Sequence, residues 1–400
     1  MGYLRNVNSV KERYSLGSYL AGAAVARTGD EMSGPALLLA GLAITGSPTS
    51  AALLLAGITV SAAVGGPVFG ALLDRAVRPG PLLAGALTAY GTGLALLLVG
   101  LGRLPIAVTV AVAVVAGLLG PALSGGWTAQ LPRVVPPEAL PRANGLDAMT
   151  FNLASLVGPA LAGVVAALCG ASLGVVTAIV LIGLALPVAW RLPAARAREP
   201  GPASVGADLA AGFRCVWRTR PLARATVSSV VSCAGQGVLV ACAPLLGERA
   251  LGGADHGAVL LSGIAASALL TNAALARCPR PPAADTAVWG GAALQAGALL
   301  LAATGVPVLL VVGVLVAGAG EGPQLTALFA VRHREAPEHL RSQVFTTGAS
   351  LKITGFAVGA AVAGPLAARS LTAGLLTAAG LEALAVLAFA AITLVGGRSR

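Results

Sequence analysis

The sequence contains very little charge for its length. Only 10% of its 400 residues are Asp, Glu, Lys or Arg, whereas 56% are hydrophobic. Soluble domains carry about 25% charged residues, because a surface in contact with water needs them. A surface so poor in charge suits lipid. The composition therefore predicts an integral membrane protein and argues against a water-soluble domain.

Residues that build metal centres, disulfide frameworks and aromatic platforms are also scarce. The five cysteines are scattered without a Cys-x-x-Cys spacing, so neither a zinc site nor a disulfide is predicted. Three histidines lack ligand spacing and are predicted to be solvated loop residues: His256, His333 and His339. Aromatic residues make up 4% of the chain, which disfavours stacking or cation–π binding of flat cationic drugs.

Motifs of common enzymes are missing as well. The sequence has no phosphate loop of the form Gly-x-x-x-x-Gly-Lys-Ser/Thr, no His-Glu-x-x-His motif, and no serine nucleophile elbow in a plausible context. We therefore predict that the protein is not an enzyme and uses neither a cofactor nor a metal ion.

Long apolar runs are abundant and are separated by clusters of charged and turn-forming residues. A membrane-spanning helix needs about 20 apolar residues, whereas barrel strands alternate over about ten. The first run follows a basic arm (Arg5, Lys11, Arg13) and is too long for a signal peptide, so it is predicted to span the membrane. The twelve predicted spans are 15–44, 50–73, 80–102, 104–126, 144–168, 171–190, 223–247, 254–276, 285–303, 305–330, 342–366 and 371–396.

The net charge of +11 arises from small arginine clusters between the apolar runs. Most of them fall on one side of the predicted topology, and the other side holds Arg103, Arg249 and Arg369. Basic loops mark the cytoplasmic face, where they lie beside anionic lipid. We predict a multi-pass protein of the cytoplasmic (inner) membrane with both termini in the cytoplasm and with no nucleic-acid partner.

The longest polar segment, 191–222, divides the sequence into halves of six predicted helices each, 1–190 and 223–400. The halves echo each other, because Pro137-Glu138-Ala139-Leu140 is matched 200 residues later by Pro337-Glu338-His339-Leu340. Similar halves in one orientation are typical of parallel repeats. Four apolar residues of the linker recur at helical spacing and predict an amphipathic helix on the inner leaflet: Leu209, Phe213, Val216 and Trp217.

Several stretches resemble the major facilitator superfamily of transporters. Residues 70–78, here called the gating loop, look like its signature of Gly, Asp and basic residues, although Val77 and Pro79 depart from it. The first span is similar in its run Gly29-Asp30-Glu31 and in its ending Thr45-Gly46-Ser47-Pro48, and 337–345 is similar to the loop before the eleventh span. The gating-loop residues that match are Gly70, Asp74, Arg75 and Arg78.

The fifth span is similar to the antiporter motif of superfamily exporters, with Ala at two of the Gly positions. Its matching residues are Gly145, Gly158, Pro159 and Gly163. Ordinary close packing of small residues is the alternative interpretation. The resemblance favours export over import.

The resemblance as a whole implies an all-α membrane fold of twelve helices in two pseudo-symmetric six-helix halves, acting as a monomer. The nearest likeness is to bacterial exporters related to the enterobactin exporter and to drug/proton antiporters. The arginine that drug/proton antiporters carry in the fourth span is missing from 104–126. This departure favours the siderophore-exporter-like branch.

Ionisable residues inside the predicted spans are candidates for binding protons or substrate, because each costs at least about 2.5–3.5 kcal/mol at a helix centre in the bilayer. Arg27, Asp30 and Glu31 lie at positions i, i+3 and i+4, on one face of the first span. They are interpreted either as coupling or substrate-binding groups or as a structural ion pair between Arg27 and Asp30.

A second ionisable pair is formed by Glu321 and Lys352, which lie at similar depth in the tenth and eleventh spans. An ion pair between them would serve function or structure, and Lys352 could instead snorkel to the interface. Gly320 and Gly322-Pro323 predict a break in the tenth helix. Polar candidates for the cavity are Gln236, Asn272 and Gln324, which helix–helix hydrogen bonding explains equally well.

These features predict a secondary transporter that exports a small molecule by alternating access in exchange for protons, with the proton gradient as its energy source. Two alternatives stay open: a proton-coupled uptake permease of the same fold, and a transport-inactive membrane sensor or partner protein.

Overall fold

The computed structural model of the protein describes residues 15–194, 205–253, 256–278 and 281–397. Every regular element within these ranges is helical, which confirms the all-α prediction. The basic arm (Arg5, Lys11, Arg13) lies outside the described residues. The α-helices are α1 Leu16–Thr45, α2 Pro48–Val60, α3 Ala62–Arg75, α4 Pro79–Gly100, α5 Ile106–Gly117, α6 Leu140–Cys169, α7 Ala171–Trp190, α8 Val205–Arg218, α9 Arg220–Leu251, α10 His256–Leu275, α11 Ala284–Ala303, α12 Pro307–Glu335, α13 Arg341–Arg369 and α14 Leu371–Gly397.

Eleven helical segments of the described ranges are long and apolar enough to cross a bilayer. In one of them α2 and α3 continue each other as Pro48–Arg75, and in another α5 extends through a π-helical turn to Gly126. A twelfth segment, α1, has 30 residues and is about 45 Å long at 1.5 Å per residue. Its three charged residues lower its hydropathy, but its length suffices to span. With α1, the segments follow the twelve predicted spans.

The remaining helix, α8, is the one predicted within the linker. Val216 is buried, whereas Phe213 and Trp217, one turn apart, are exposed beside Arg214 and Arg218. The helix is therefore amphipathic. Its location on the inner leaflet stays a prediction.

The motif at residues 45–48 is a tight connection between α1 and α2. Gly46 ends α1 in a left-handed conformation (φ 63°), which glycine adopts without steric cost. Ser47 then caps α2 by accepting from the N–H of Ser50 at 3.2 Å, and Pro48 occupies the first helical position.

The predicted break in the tenth helix is wrong. α12 runs continuously from Pro307 to Glu335 with Pro323 inside it. The glycines around Glu321 allow close packing instead, because Gly322 lies against the backbone of α10 and Gly320 against that of α11.

The prediction of solvated histidines is wrong for His333. It belongs to the last turn of α12, is 6% exposed, and its Nδ1 is 2.8 Å from Asn144 Oδ1. The apolar run predicted for this span stops short of His333, so the sequence did not reveal that the helix carries it into a packed surface. His339 is exposed, as expected.

The chain divides into two packed units, and each unit contains a segment from the other half of the sequence. Unit 1 consists of Met1–Ala143, Val157–Phe213 and Pro337–Ser350; unit 2 consists of Asn144–Leu156, Arg214–Ala336 and Leu351–Arg400. The exchanged segments lie at the starts of α6 and α13, which both follow a 3₁₀ turn at the two echoed sequences. The division into 1–190, 191–222 and 223–400, drawn from the repeat pattern, stays a prediction.

Each unit has its own apolar core. In unit 1 the rings of Tyr19 and Trp127 are completely buried and meet edge to face at 6.1 Å, and the Tyr19 hydroxyl donates to the carbonyl of Trp127 at 3.1 Å. In unit 2, Val238 and Cys242 of α9 pack with Ala378 of α14. These cores hold the helices that carry the polar residues described next.

Candidate transport and gating sites

An ionisable cluster lies near the middle of α1, in unit 1. Arg27 is 2% exposed, and its Nη2 donates to Thr128 Oγ1 at 2.9 Å. Asp30, one turn further on, interacts with the charge of Arg27 and with the hydroxyl of Tyr90. That hydroxyl is 2.8 Å from Ser33 Oγ. The structure thus brings Arg27 and Asp30 together and adds Tyr90 and Ser33, which the sequence pattern did not indicate.

Glu31, the third residue of the predicted face, is exposed and lies against α6. A Cβ added to Gly158 would come within 2.8 Å of Glu31 Cβ and 3.0 Å of the Met32 nitrogen, closer than real Cβ contacts. Only glycine therefore fits at residue 158 without a shift of one helix. This contact joins the antiporter-like motif to the ionisable part of α1.

The other members of the antiporter-like motif are less constrained. A Cβ on Gly145 would meet Thr326 at an ordinary 3.8 Å, and one on Gly163 would meet nothing within 4 Å. Pro159 lies inside α6, which continues without interruption. Among the three glycines, close packing against α1 therefore depends on Gly158.

A polar cavity lies within unit 2. Its volume is about 30 Å³, and its lining residues come from α9, α12 and α13: Ser229, Cys233, Gln236, Glu321, Gln324, Leu325, Leu328 and Lys352. Glu321 and Lys352 thus face the same space, as their predicted depth suggested. No ion pair within 4 Å joins these two described residues. The two charges are close enough to interact through space across the cavity.

Three glutamines link α9, α11 and α12 in a chain of hydrogen bonds. Gln236 Nε2 donates to Gln295 Oε1 at 2.9 Å, and Gln295 Nε2 donates to Gln324 Oε1 at 3.0 Å. Gln295, which lies outside the predicted set, is the central member and is 4% exposed. Asn272 instead accepts from Thr326 at 3.1 Å, so it stands apart from this chain.

Two acidic residues outside the predicted set are completely buried. Glu382 of α14 is 0% exposed, and neither of its carboxylate oxygens has a hydrogen-bond partner. Asp147 of α6 is also 0% exposed. The signal that points to both is the one used for Glu321, an ionisable residue inside an apolar run.

The gating loop lies against the start of α13, within unit 1. Asp74 accepts hydrogen bonds from the backbone N–H groups of Ser342 and Gln343, each at 2.9 Å. The first N–H groups of a helix have no partner within it, and their partial positive charge favours an anion. The backbone of Gln343 and the side chain of Thr346 fill the place that a Cβ on Gly70 would take. Gly70 therefore allows the approach that Asp74 uses.

The basic residues of the gating loop differ in their contacts. Arg75 Nε donates to Asp208 Oδ2 at 2.6 Å and so ties α3 to α8. A second bond to α8 comes from Gln343, whose Nε2 donates to the carbonyl of Leu209 at 3.1 Å. Arg78 is exposed at the start of α4. The linker helix is therefore held by the same elements that Asp74 joins.

Arg133, in the turn after the fourth span, is close to this region. Burial lowers the pKa of its guanidinium, and the nearby carboxylates of Glu338 and Asp74 oppose that shift while Arg341 adds to it. Two acids and two arginines thus share the neighbourhood of the α13 start, so its charges are balanced locally.

No group of three or more His, Cys, Asp or Glu side chains within the described ranges is placed to hold a metal ion. The five cysteines, all of them described, are free thiols.

Comparison with known proteins gives the family. Residues 19–345 match the Major Facilitator Superfamily. An uncharacterized MFS-type transporter of Sinorhizobium fredii is 30% identical over 388 residues, and the match covers 92% of each chain. The chain belongs to the Major Facilitator Superfamily and is a multi-pass membrane transporter.

Solved structures share the fold at low sequence identity. The human organic anion transporter MFSD10 superposes with a TM-score of 0.77 at 16% identity, over 94% of this chain and 99% of that one. A bacterial homologue of the iron transporter ferroportin, in an outward-facing state, gives 0.76 at 16% identity with the same coverage. The Escherichia coli fucose:proton symporter FucP gives 0.70 at 13% identity, over 95% and 99%. These likenesses concern the fold, and the predicted likeness to enterobactin exporters stays a prediction.

Proposed function

We propose that this transporter exports a small molecule across the cytoplasmic (inner) membrane in exchange for protons. The observation that carries the proposal is the contact of Gly158 with α1 at Glu31 and Met32. It joins the motif that resembles exporters to the helix that carries Arg27 and Asp30. A rocking of α6 against α1 would then change the surroundings of the acids on α1.

The coupling chemistry is assigned to carboxyl groups inside the membrane. Asp30, beside Arg27 and Tyr90, and Glu321, facing the polar cavity with Lys352, are groups that can bind and release a proton. Their charge is costly in the bilayer unless it is paired or hydrated, so a change of hydration changes proton affinity. The proton gradient supplies the energy, and we propose that the protein works as a monomer without a cofactor.

The gating loop supports alternating access. Asp74 holds the first turn of α13 by two hydrogen bonds. Hydrogen bonds weaken steeply with distance and misalignment, so a shift of α13 would break both at once. We propose that this contact closes the cytoplasmic side, with both termini in the cytoplasm, and that its loss accompanies opening.

Proton flux in inside-out membrane vesicles tests the proposal. A pH-sensitive dye would report proton release while candidate metabolites, siderophores and antibiotics are added one at a time. The parent would be compared with Asp30→Asn, Glu31→Gln and Glu321→Gln, and with Glu248→Gln as a control, since Glu248 is exposed at the end of α9. We expect substrate-triggered release that at least one of the first three variants abolishes and the control retains.

The outcomes separate the alternatives. Proton movement in the opposite direction, together with substrate uptake, would favour a proton-coupled permease. Absence of any response from the parent, with correctly inserted protein, would contradict antiport and favour a transport-inactive sensor or partner protein.

A further inference from the structure

Glu382 occupies an unusual place in unit 2. It lies in the middle of α14, a helix that packs on α9 and α11, and its side chain is 0% exposed. The carboxyl group lies against the backbone of α9, because a Cβ on Gly235 would be 3.1 Å from Glu382 Oε1. Neither oxygen has a hydrogen-bond partner. The fold has thus enclosed a carboxyl group beside the hydroxyl of Ser232, without a hydrogen bond to offset its charge.

An ionised carboxylate costs more free energy in such surroundings than a neutral acid, since its charge is buried without a partner. The neutral form is therefore favoured in this arrangement, and release of the proton needs water or a hydrogen-bond donor to reach the carboxyl group. The titratable groups that face Glu382 do not compensate for its charge. They are Glu321 of α12, which repels it, and the thiol of Cys233 on α9. Lys352 of α13 interacts with Cys233 and Glu321. On α11, Asp285 forms an ion pair with Arg224, with 2.6 Å between Oδ2 and Nη2.

A polar route connects Glu382 to the polar cavity. The hydroxyl of Ser232 lies beside the Glu382 carboxyl and makes a 3.4 Å hydrogen bond with Gln324. Gln324 in turn lines the polar cavity. A hydroxyl can donate and accept in alternation, so a small rotation of Ser232 would link the acid to the cavity.

We propose that Glu382 is a proton-binding site of the C-terminal half, loaded from the polar cavity through Ser232. A proton from cavity water adds to one carboxylate oxygen and leaves a neutral acid, and the reverse step returns the proton to water. No other bond is made or broken. A role of Glu382 in transport rests on the proposed proton exchange. Proton binding at Glu382 does not depend on that proposal.

The test uses protons alone as the probe. Infrared difference spectra of the full-length protein in lipid, recorded between alkaline and acidic pH, report the C=O band of each carboxylic acid that becomes protonated. We expect one band to be lost in Glu382→Gln and to be shifted but retained in Glu382→Asp. Glu248→Gln, on the exposed end of α9, is the matched control and should leave that band in place.

Two results would overturn the proposal: an unchanged set of bands in Glu382→Gln, or a Glu382 band that is insensitive to pH, which would mark a permanently neutral structural acid. Glu382→Met keeps the test decisive if the amide variant misfolds, because an apolar side chain suits the buried position. A second experiment measures proton release from vesicles. Absence of release in the parent would contradict the proposed proton exchange, and the infrared spectra would still show whether Glu382 binds a proton.

Discussion

Replacing Asp74 with asparagine tests the contact between the gating loop and α13. The substitution keeps the size of the side chain and removes its charge. One of the two carboxylate oxygens is replaced by an NH₂ group, which cannot accept a hydrogen bond from a backbone N–H. The amides of Ser342 and Gln343 would then keep one neutral hydrogen bond in place of two charged ones.

The size of the effect follows from those two bonds. A hydrogen bond to a charged group contributes about 1.5–3 kcal/mol, against about 0.5–1.5 kcal/mol for a neutral one. Replacing two charged bonds by one neutral bond therefore amounts to roughly 2.5–4.5 kcal/mol. Because Asp74 is only partly buried, we take about 2 kcal/mol, which corresponds to roughly a 30-fold change in an equilibrium constant.

Hydrogen–deuterium exchange of the first turn of α13 measures this change. Peptides covering residues 341–344 should exchange about 30-fold faster in Asp74→Asn when the helix start recloses faster than its amides exchange, because the exchange rate then follows the opening equilibrium. Arg75→Gln is the matched control, since its ion pair with Asp208 is about one-third exposed and surface pairs contribute only about 0–1 kcal/mol. Equal protection of the α13 start in the parent and in Asp74→Asn would refute the reasoning.

Three further predictions concern packing, hydrogen bonding and thiol chemistry. Gly158→Leu should abolish transport and lower the thermal unfolding midpoint, whereas Gly163→Leu, facing open space, should change neither. Gln295→Leu removes the partner of the Gln236 Nε2 donor, which costs about 1–3 kcal/mol, and one of the hydrogen bonds of Gln324, which keeps its bond with Ser232; an unchanged unfolding midpoint would contradict the observed amide chain. Burial raises the pKa of the Cys215 thiol, so less thiolate forms at neutral pH, and iodoacetamide should modify Cys215 more slowly than the exposed Cys278. Mass spectrometry would check this, and the difference should narrow as pH rises.

Local features of the sequence anticipated most of the helices. Apolar runs of spanning length predicted the segments, since burying backbone polar groups in lipid requires helices. Gly46, Ser47 and Pro48 fixed one helix junction by their own conformational preferences. The same kind of local reasoning failed at α12, because the glycines and Pro323 that usually interrupt a helix serve packing there.

Contacts between distant residues could not be derived in this way. The pattern marked Asp74 as a gating residue, but only the fold brings it to the first turn of α13, 268 positions away. For Glu321 and Lys352 the sequence left open an ion pair or a snorkelling lysine, and the fold shows that both side chains line one cavity. Gln295 is the centre of the amide chain because it bonds Gln236 of α9 and Gln324 of α12, and the sequence does not show that these helices meet there.

The sequence by itself determined that this chain is a membrane protein of twelve helical segments, because hydropathy and length are properties of each segment alone. It also marked most of the ionisable residues in those segments, since any charge in an apolar run stands out. The tertiary structure alone decided which of these charges have partners. Arg27 reaches Thr128, Asp74 reaches the start of α13, and Glu382 is enclosed without a hydrogen bond to either carboxylate oxygen. Burial and pairing depend on which helix faces meet, and that is a property of the packed whole.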